Sequence, residues 1–239
     1  GHPWDHAQKL ADIAQHFTAQ GDHVTRFGQG LDNGTLRHGE ADAGHGGAEQ
    51  VPVLRHGDGF LPGADQFSTR VPEGDNRERM VCGDCGWVHY VNPKIVVGAV
   101  CRLDDRILLC RRAIEPRHGF WTIPAGFMEE RESSEQGAAR EAMEEAHADI
   151  RIGSLLAVYN IPRISQVQLI YCAEMNVPEV KPGPESLEVR YFTWDEIPWG
   201  ELAFPSVTWA LQQYRQVWNS PSFAAFTNPQ GETGASTPG

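Results

Sequence analysis

The stretch from Ser133 to Ala146 constrains the fold of this chain more than any other. Ser133 and, three residues on, Gln136 form the reciprocal pair that starts a helix, and that helix carries Glu141, Glu144 and Glu145. At about 100° per residue the three carboxylates fall on one side, within roughly a third of the circumference. Like charges at these offsets repel by roughly a few tenths of a kcal/mol per pair in water, and by more when partly buried. A chain holds such a cluster either on an open solvated face or around a cation. Taken alone, the solvated face is the better reading, because charge runs on helix surfaces are common.

The surrounding pattern mixes strands and helices. Lys94–Leu103 reads as a buried strand, Asp104-Asp105 as a turn and Arg106–Arg112 as the returning strand of a hairpin. Trp121-Thr122-Ile123 leads into Pro124-Ala125-Gly126, ahead of the acidic helix. Further strands are predicted over Ile150–Tyr159, Gln166–Met175 and Leu187–Thr193, with a last helix over Ser206–Trp218. This order predicts an α/β layered domain.

The ends differ in texture. Residues 1–60 hold seven of the ten histidines and eleven of the 25 glycines, with one amphipathic helix predicted over Asp5–Gln20. The histidines show no repeated ligand spacing, so a largely disordered leader is expected in place of a metal site. The tail, 219–239, is rich in Pro, Gly, Ser and Thr and is also expected to be disordered. The predicted organisation is a leader (1–60), a small accessory segment (61–92), the main domain (93–218) and the tail.

Charge narrows the partners. A formal net charge of −12 over 239 residues gains nothing from counterion release on a phosphate backbone, so long nucleic acid is excluded as an expected partner. A small phosphorylated substrate remains open where cations screen the site. The longest apolar stretches, such as Ile95–Cys101, are strand-sized, so no membrane span is expected. Five cysteines, an odd and sparse set, do not form a disulfide framework and point to a reducing, cytoplasmic compartment.

Context changes the reading of the acidic helix. Gly126 is followed after five residues by Glu132, and after seven more by Arg140-Glu141, Ala142, Met143 and Glu144-Glu145. This resembles the Nudix box, Gly-x5-Glu-x7-Arg-Glu-U-x-Glu-Glu-x-Gly-U, where U is aliphatic. Every charged position matches. Ala142 and Ala148 fill aliphatic slots, and His147 stands where the family has glycine.

The resemblance implies a Nudix-type α/β/α sandwich with a mixed β-sheet. It implies that Glu141, Glu144 and Glu145 coordinate Mg2+ or Mn2+, with Glu144 and Glu145 acting in catalysis. Glu132 and Arg140 would brace loop against helix, and Gly126 would let the backbone close on the site. A residue just past a helix commonly adopts the left-handed conformation. His147 is therefore expected to lower stability or alter the helix end without touching the carboxylates.

Stretches outside the box, among them Cys82-Gly83-Asp84-Cys85, Asn92-Pro93-Lys94, and Pro182-Gly183-Pro184-Glu185-Ser186-Leu187-Glu188, resemble the zinc-ribbon-bearing Nudix subgroup associated with FAD and ADP-ribose pyrophosphatase activity. Structural zinc takes four ligands. Only Cys82 and Cys85 are present and residues 1–81 contain no cysteine, so a degenerate ribbon without zinc is expected. Arg111 and Arg112 are candidates to clamp phosphate, and Phe127 and Tyr159 candidates to stack on a base or flavin. Glu185 and Glu188 are candidates for a further base or metal ligand, with Glu188 the one assigned a catalytic role. The resemblance implies hydrolysis of a dinucleotide such as FAD, ADP-ribose or NADH to AMP and the other phosphate half. The alternative is a non-catalytic nucleotide or ADP-ribose sensor. Homodimers are common in the family.

Overall fold

The computed structural model describes residues 66–234; the predicted leader and its helix lie outside them. The described residues divide into two compact units, which meet between Val91 and Asn92 in the chain.

In the first unit a three-stranded antiparallel meander runs β1 (Phe67–Arg70), β2 (Arg79–Cys82) and β3 (Val88–His89). The turn between β1 and β2 closes through the Asp75 N–H donating to Pro72 O (3.1 Å). The Asp75 carboxylate accepts the Asn76 N–H and pairs with Arg79, and these bonds hold its pKa below the usual value, the Asn76 amide contributing most. Trp87 packs edge-on against Phe67 and lies beside His89. Cys82 is buried and Cys85 exposed, both as free thiols. Among the described residues no group of three or more His, Cys, Asp or Glu side chains forms around them.

The second unit is built on a mixed sheet. Its strands are β4 (Lys94–Leu103), β5 (Arg106–Arg112), β6 (Trp121–Thr122), β7 (Ala125–Phe127), β8 (Ile150–Ile161), β9 (Gln166–Met175) and β10 (Ser186–Thr193). The order is β10-β5-β4-β9-β8, with β6 on β5 and β7 on β4. The β4–β9 pair is parallel, and its neighbours are antiparallel. Helix α1 (Ser134–Ala146) covers one face and α2 (Pro205–Val217) the other.

The strands read as continuous apolar runs because both faces are covered. Along β4 and β5, Val97, Ala99, Cys101, Leu108 and Cys110 pack toward α1. The alternating residues Val100, Ile107 and Leu109 pack toward α2. On α1, Ala138, Ala142 and Ala146 recur at helical spacing and are fully buried. Their small side chains bring α1 close to the sheet, which explains an alanine in the slot at Ala142. Ser133 caps the helix as its spacing predicts, its hydroxyl accepting the Gln136 N–H (3.2 Å) and Gln136 Oε1 accepting the Ser133 N–H (2.8 Å). Among the described residues no helix is long and apolar enough to cross a membrane.

The tail corrects the expectation of disorder over residues 219–234. The Phe226 N–H donates to Leu156 O (2.8 Å) and Phe226 O accepts the Val158 N–H (3.0 Å), so this segment pairs with β8, the outermost strand. Asn228 bonds both the N–H and the carbonyl of Asn160, and Phe223 and Phe226 pack against the α2-side core. A polar, Pro- and Gly-rich segment stays ordered because it covers an otherwise open strand edge and buries two aromatic rings. Phe226→Ala should lower stability by about 1–3 kcal/mol, read as a fall in Tm of several degrees. An unchanged Tm would show that the tail adds nothing to the fold.

Candidate active site

The Gly126 loop and helix α1 meet around one arginine. Arg140 Nε and Nη2 donate to the two oxygens of Glu132 (3.0 and 2.8 Å), a bidentate fork. Its Nη2 also reaches Phe127 O (3.0 Å), while Nη1 bonds Glu141 Oε1 (2.8 Å) and Glu144 Oε2 (2.9 Å). Hydrogen bonds from Arg140, and then from the Glu129 N–H, hold the Glu132 pKa down to about 2. The brace therefore stays ionised across the physiological range and weakens only as pH falls toward that value.

Close approach explains the glycine. A Cβ on Gly126 would lie inside the Glu141 carboxylate, so any side chain there displaces a proposed metal ligand. Glu141 and Glu145 are both buried, whereas Glu144 is exposed. Burial raises the Glu141 pKa, with the bonds from Arg140 opposing the rise. For Glu145 burial is again the main cause, reinforced by the Glu141 charge, and the pKa reaches about 8. The Ala125 N–H and the Arg112 charge oppose this rise, and Glu185 adds to it.

These groups line a cleft of about 1370 Å³. Its apolar walls include Ile114, Phe127, Met143, Ile164 and Phe204, with Arg112 and Arg163 as cations. The cleft thus combines apolar surface, a few cations and an acidic patch, a combination suited to a ligand that is part ring system and part phosphate.

The sequence candidates divide on this geometry. Gly126, Phe127, Arg112, Glu141, Glu144 and Glu145 all border the cleft. Phe127 is 51% exposed, with the Lys94 ammonium over its ring at 5.2 Å. Arg112 donates from Nε to Pro116 O (2.9 Å) and its guanidinium lies over Phe204.

Three candidates lie elsewhere. Tyr159 is a core residue: fully buried, its hydroxyl donates to Gln213 Oε1 (2.6 Å) and its ring packs edge-on against Trp209. It cannot stack on a ligand, because alternation along β8 turns it toward α2. Arg111 faces Glu188 across the β5–β10 register, Nη1 to Oε2 at 3.9 Å, and its Nε bonds Gly119 O. Neither Arg111 nor Glu188 borders the cleft; Glu185 does. The register shifts between Ser186 and Glu188, and sequence spacing did not reveal that shift. Arg163, Gln166 and Gln168 also line the cleft, and no motif singled them out.

The acidic patch suits a hard divalent cation. Glu145 Oε2 is buried without a hydrogen-bond partner, an arrangement that is costly unless a proton or cation meets the oxygen. Among the described residues, no three acidic, His or Cys side chains converge into a ready-made cage. Mg2+ commonly takes one or two carboxylates and completes its shell with water and substrate phosphate, and Glu141, Glu144 and Glu145 fit that partial role.

Comparison with known proteins agrees with this geometry. A NUDIX domain model matches residues 92–215 and a Nudix N-terminal model matches residues 64–91. An ADP-ribose pyrophosphatase of Methanocaldococcus jannaschii is 30% identical over 119 residues, 48% of this chain and 69% of that protein. An NAD-capped RNA hydrolase NudC of Vibrio vulnificus is 32% identical over 128 residues, 52% of this chain and 47% of its own length. The chain thus spans about half the length of that relative. The crystal structure of a NUDIX hydrolase from Nitrosomonas europaea superposes with a TM-score of 0.64 at 44% identity, covering 68% of this chain and 93% of that one. The domain match takes in more than half of the 239 residues, including the whole of the glycine loop and acidic helix. The chain therefore belongs to the Nudix hydrolase family.

Proposed function

We propose that the protein hydrolyses the diphosphate bond of a nucleoside diphosphate linked to another moiety. ADP-ribose, NADH and FAD are the candidate substrates, with AMP and the other phosphate half as products. The observation that carries this reading is the buried, unpartnered oxygen of Glu145 beside Glu141, at a cleft that also holds cations and apolar surface. The names of two relatives, an ADP-ribose pyrophosphatase and an NAD-capped RNA hydrolase, support the substrate class. The net charge of −12 favours a small dinucleotide over a long RNA for this chain.

Each residue has a physical task in this reading. Glu141, Glu144 and Glu145 hold Mg2+ or Mn2+, which when bound offsets diphosphate charge and acidifies water. Arg140, fixed by Glu132, keeps Glu141 and Glu144 aimed. Arg112 and Arg163 meet phosphate oxygens, and Phe127 offers its exposed ring to a base. Glu185, on the loop before β10, accepts the proton of the attacking water. The water oxygen bonds to one phosphorus, the bridging P–O bond breaks, and the second phosphate leaves with its electron pair.

A panel of ADP-ribose, NADH and FAD, run with Mg2+ and with Mn2+, tests the reading by chromatography of the products. AMP release from at least one compound, abolished by chelation, is expected. Absence of any phosphate-monoester product across the panel would refute it.

A further inference from the structure

The family glycine after the acidic helix is His147 in this chain, and the structure gives that histidine a partner. Its backbone takes the left-handed conformation, φ 48° and ψ 34°, and its N–H closes the helix on Met143 O (2.9 Å). Its ring Nδ1 lies 3.0 Å from Lys181 O. A carbonyl can only accept, so Nδ1 carries the proton. The segment reached in this way runs from Lys181 to Ser186 and brings Glu185 to the cleft.

The same segment is docked on the end of α1 by backbone bonds. The Lys181 N–H donates to Ala146 O (2.9 Å) and the Gly183 N–H to Glu145 O (3.0 Å). A Cβ on Gly183 would fall on Glu144 O. At its far side Glu185 O accepts the Ala113 N–H (2.8 Å). The helix end, left with unsatisfied carbonyls by its geometry, becomes the seat of the loop. The imidazole adds a side-chain bond to the two backbone bonds, a contact that glycine cannot make.

We propose that His147 is a positioning residue, which through Lys181 O fixes the 181–186 segment and so sets where Glu185 stands relative to Glu141 and Glu145. This rests on the hydrolase reading above for its catalytic consequence, though not for the clamp itself. Asparagine distinguishes the roles. It tolerates the left-handed conformation and carries an amide N–H at nearly the position of Nδ1, whereas glycine relaxes the turn but offers no donor.

The test compares H147G, H147A and H147N with the unmodified chain. With whichever compound releases AMP, H147G and H147A should lose about tenfold in kcat with KM within about twofold, since small misplacements of an acting group cost rate. H147N should recover most of kcat, and H147G should melt no lower than the parent chain. In parallel, hydrogen exchange at the Lys181 and Gly183 amides should quicken about tenfold in H147G and H147A and stay slow in H147N. Full kcat together with unchanged exchange in H147G would overturn the proposal. If the unmodified chain releases AMP from nothing, the hydrolase reading fails, and the exchange measurement alone decides the clamp.

Discussion

Replacing Glu145 with glutamine should remove about 10³-fold or more of turnover while making the metal-free protein more stable above neutral pH. Both effects come from one buried carboxyl. In the unfolded chain its pKa is 4.5; in the folded protein burial and the Glu141 charge raise it to about 8. A raised folded-state pKa means the folded state holds the proton more tightly. The stability this confers is complete below about 4.5 and is lost as pH climbs through about 8. The loss is on the order of a few kcal/mol. Glutamine keeps the shape and cannot ionise, so the Tm of Glu145→Gln in chelator should vary less between pH 5 and 9. A smaller dependence remains from Glu141, whose pKa is also raised by burial. Added Mg2+ should stabilise the parent chain at pH 8 more than the variant. Full turnover in Glu145→Gln would remove the metal assignment, and an unchanged Tm profile would remove the account of its burial.

A second large effect is expected at Gly183, where a single methyl group meets backbone in place of a flexible side chain. Its Cβ would overlap Glu144 O and crowd the Glu145 carbonyl carbon, at the helix turn that carries two of the proposed ligands. Neither side can yield cheaply, since the Gly183 N–H is itself bonded to Glu145 O. Gly183→Ala should cost about 1–3 kcal/mol in stability and, by displacing the loop that holds Glu185, about 10²-fold in kcat. The contrast with H147G is diagnostic, because that variant is expected to lose rate without losing stability. A Gly183→Ala protein with parental Tm and kcat would mean that the loop does not sit against the helix end as described.

The elements around the site differ in how far they could be read without coordinates. The β4–β5 hairpin and helix α1 were legible because their determinants are local: a turn at Asp104-Asp105, a cap at Ser133, an apolar run covered on both faces. The brace between Glu132 and Arg140 was legible only through the spacing of the box, since seven residues of loop and helix separate the two. The tail was misread because composition weighs Pro, Gly, Ser and Thr over two phenylalanines. What orders it is the open edge of β8, which lies 68 residues earlier at the Asn160–Asn228 contact.

The acidic helix, its cap, its spacing to Gly126 and the family were determined by the sequence alone, because each depends on residues within a few helical turns of one another. The tertiary structure decided that Glu145 is buried with an unpartnered oxygen, that Tyr159 belongs to the core, and that Glu185 reaches the cleft while Glu188 pairs with Arg111. It also gave His147 a partner 34 residues away. These outcomes depend on strand register, on a shift at the start of β10 and on which face of a layer each side chain meets. Such relations arise only when distant segments pack, so local periodicity carries no record of them.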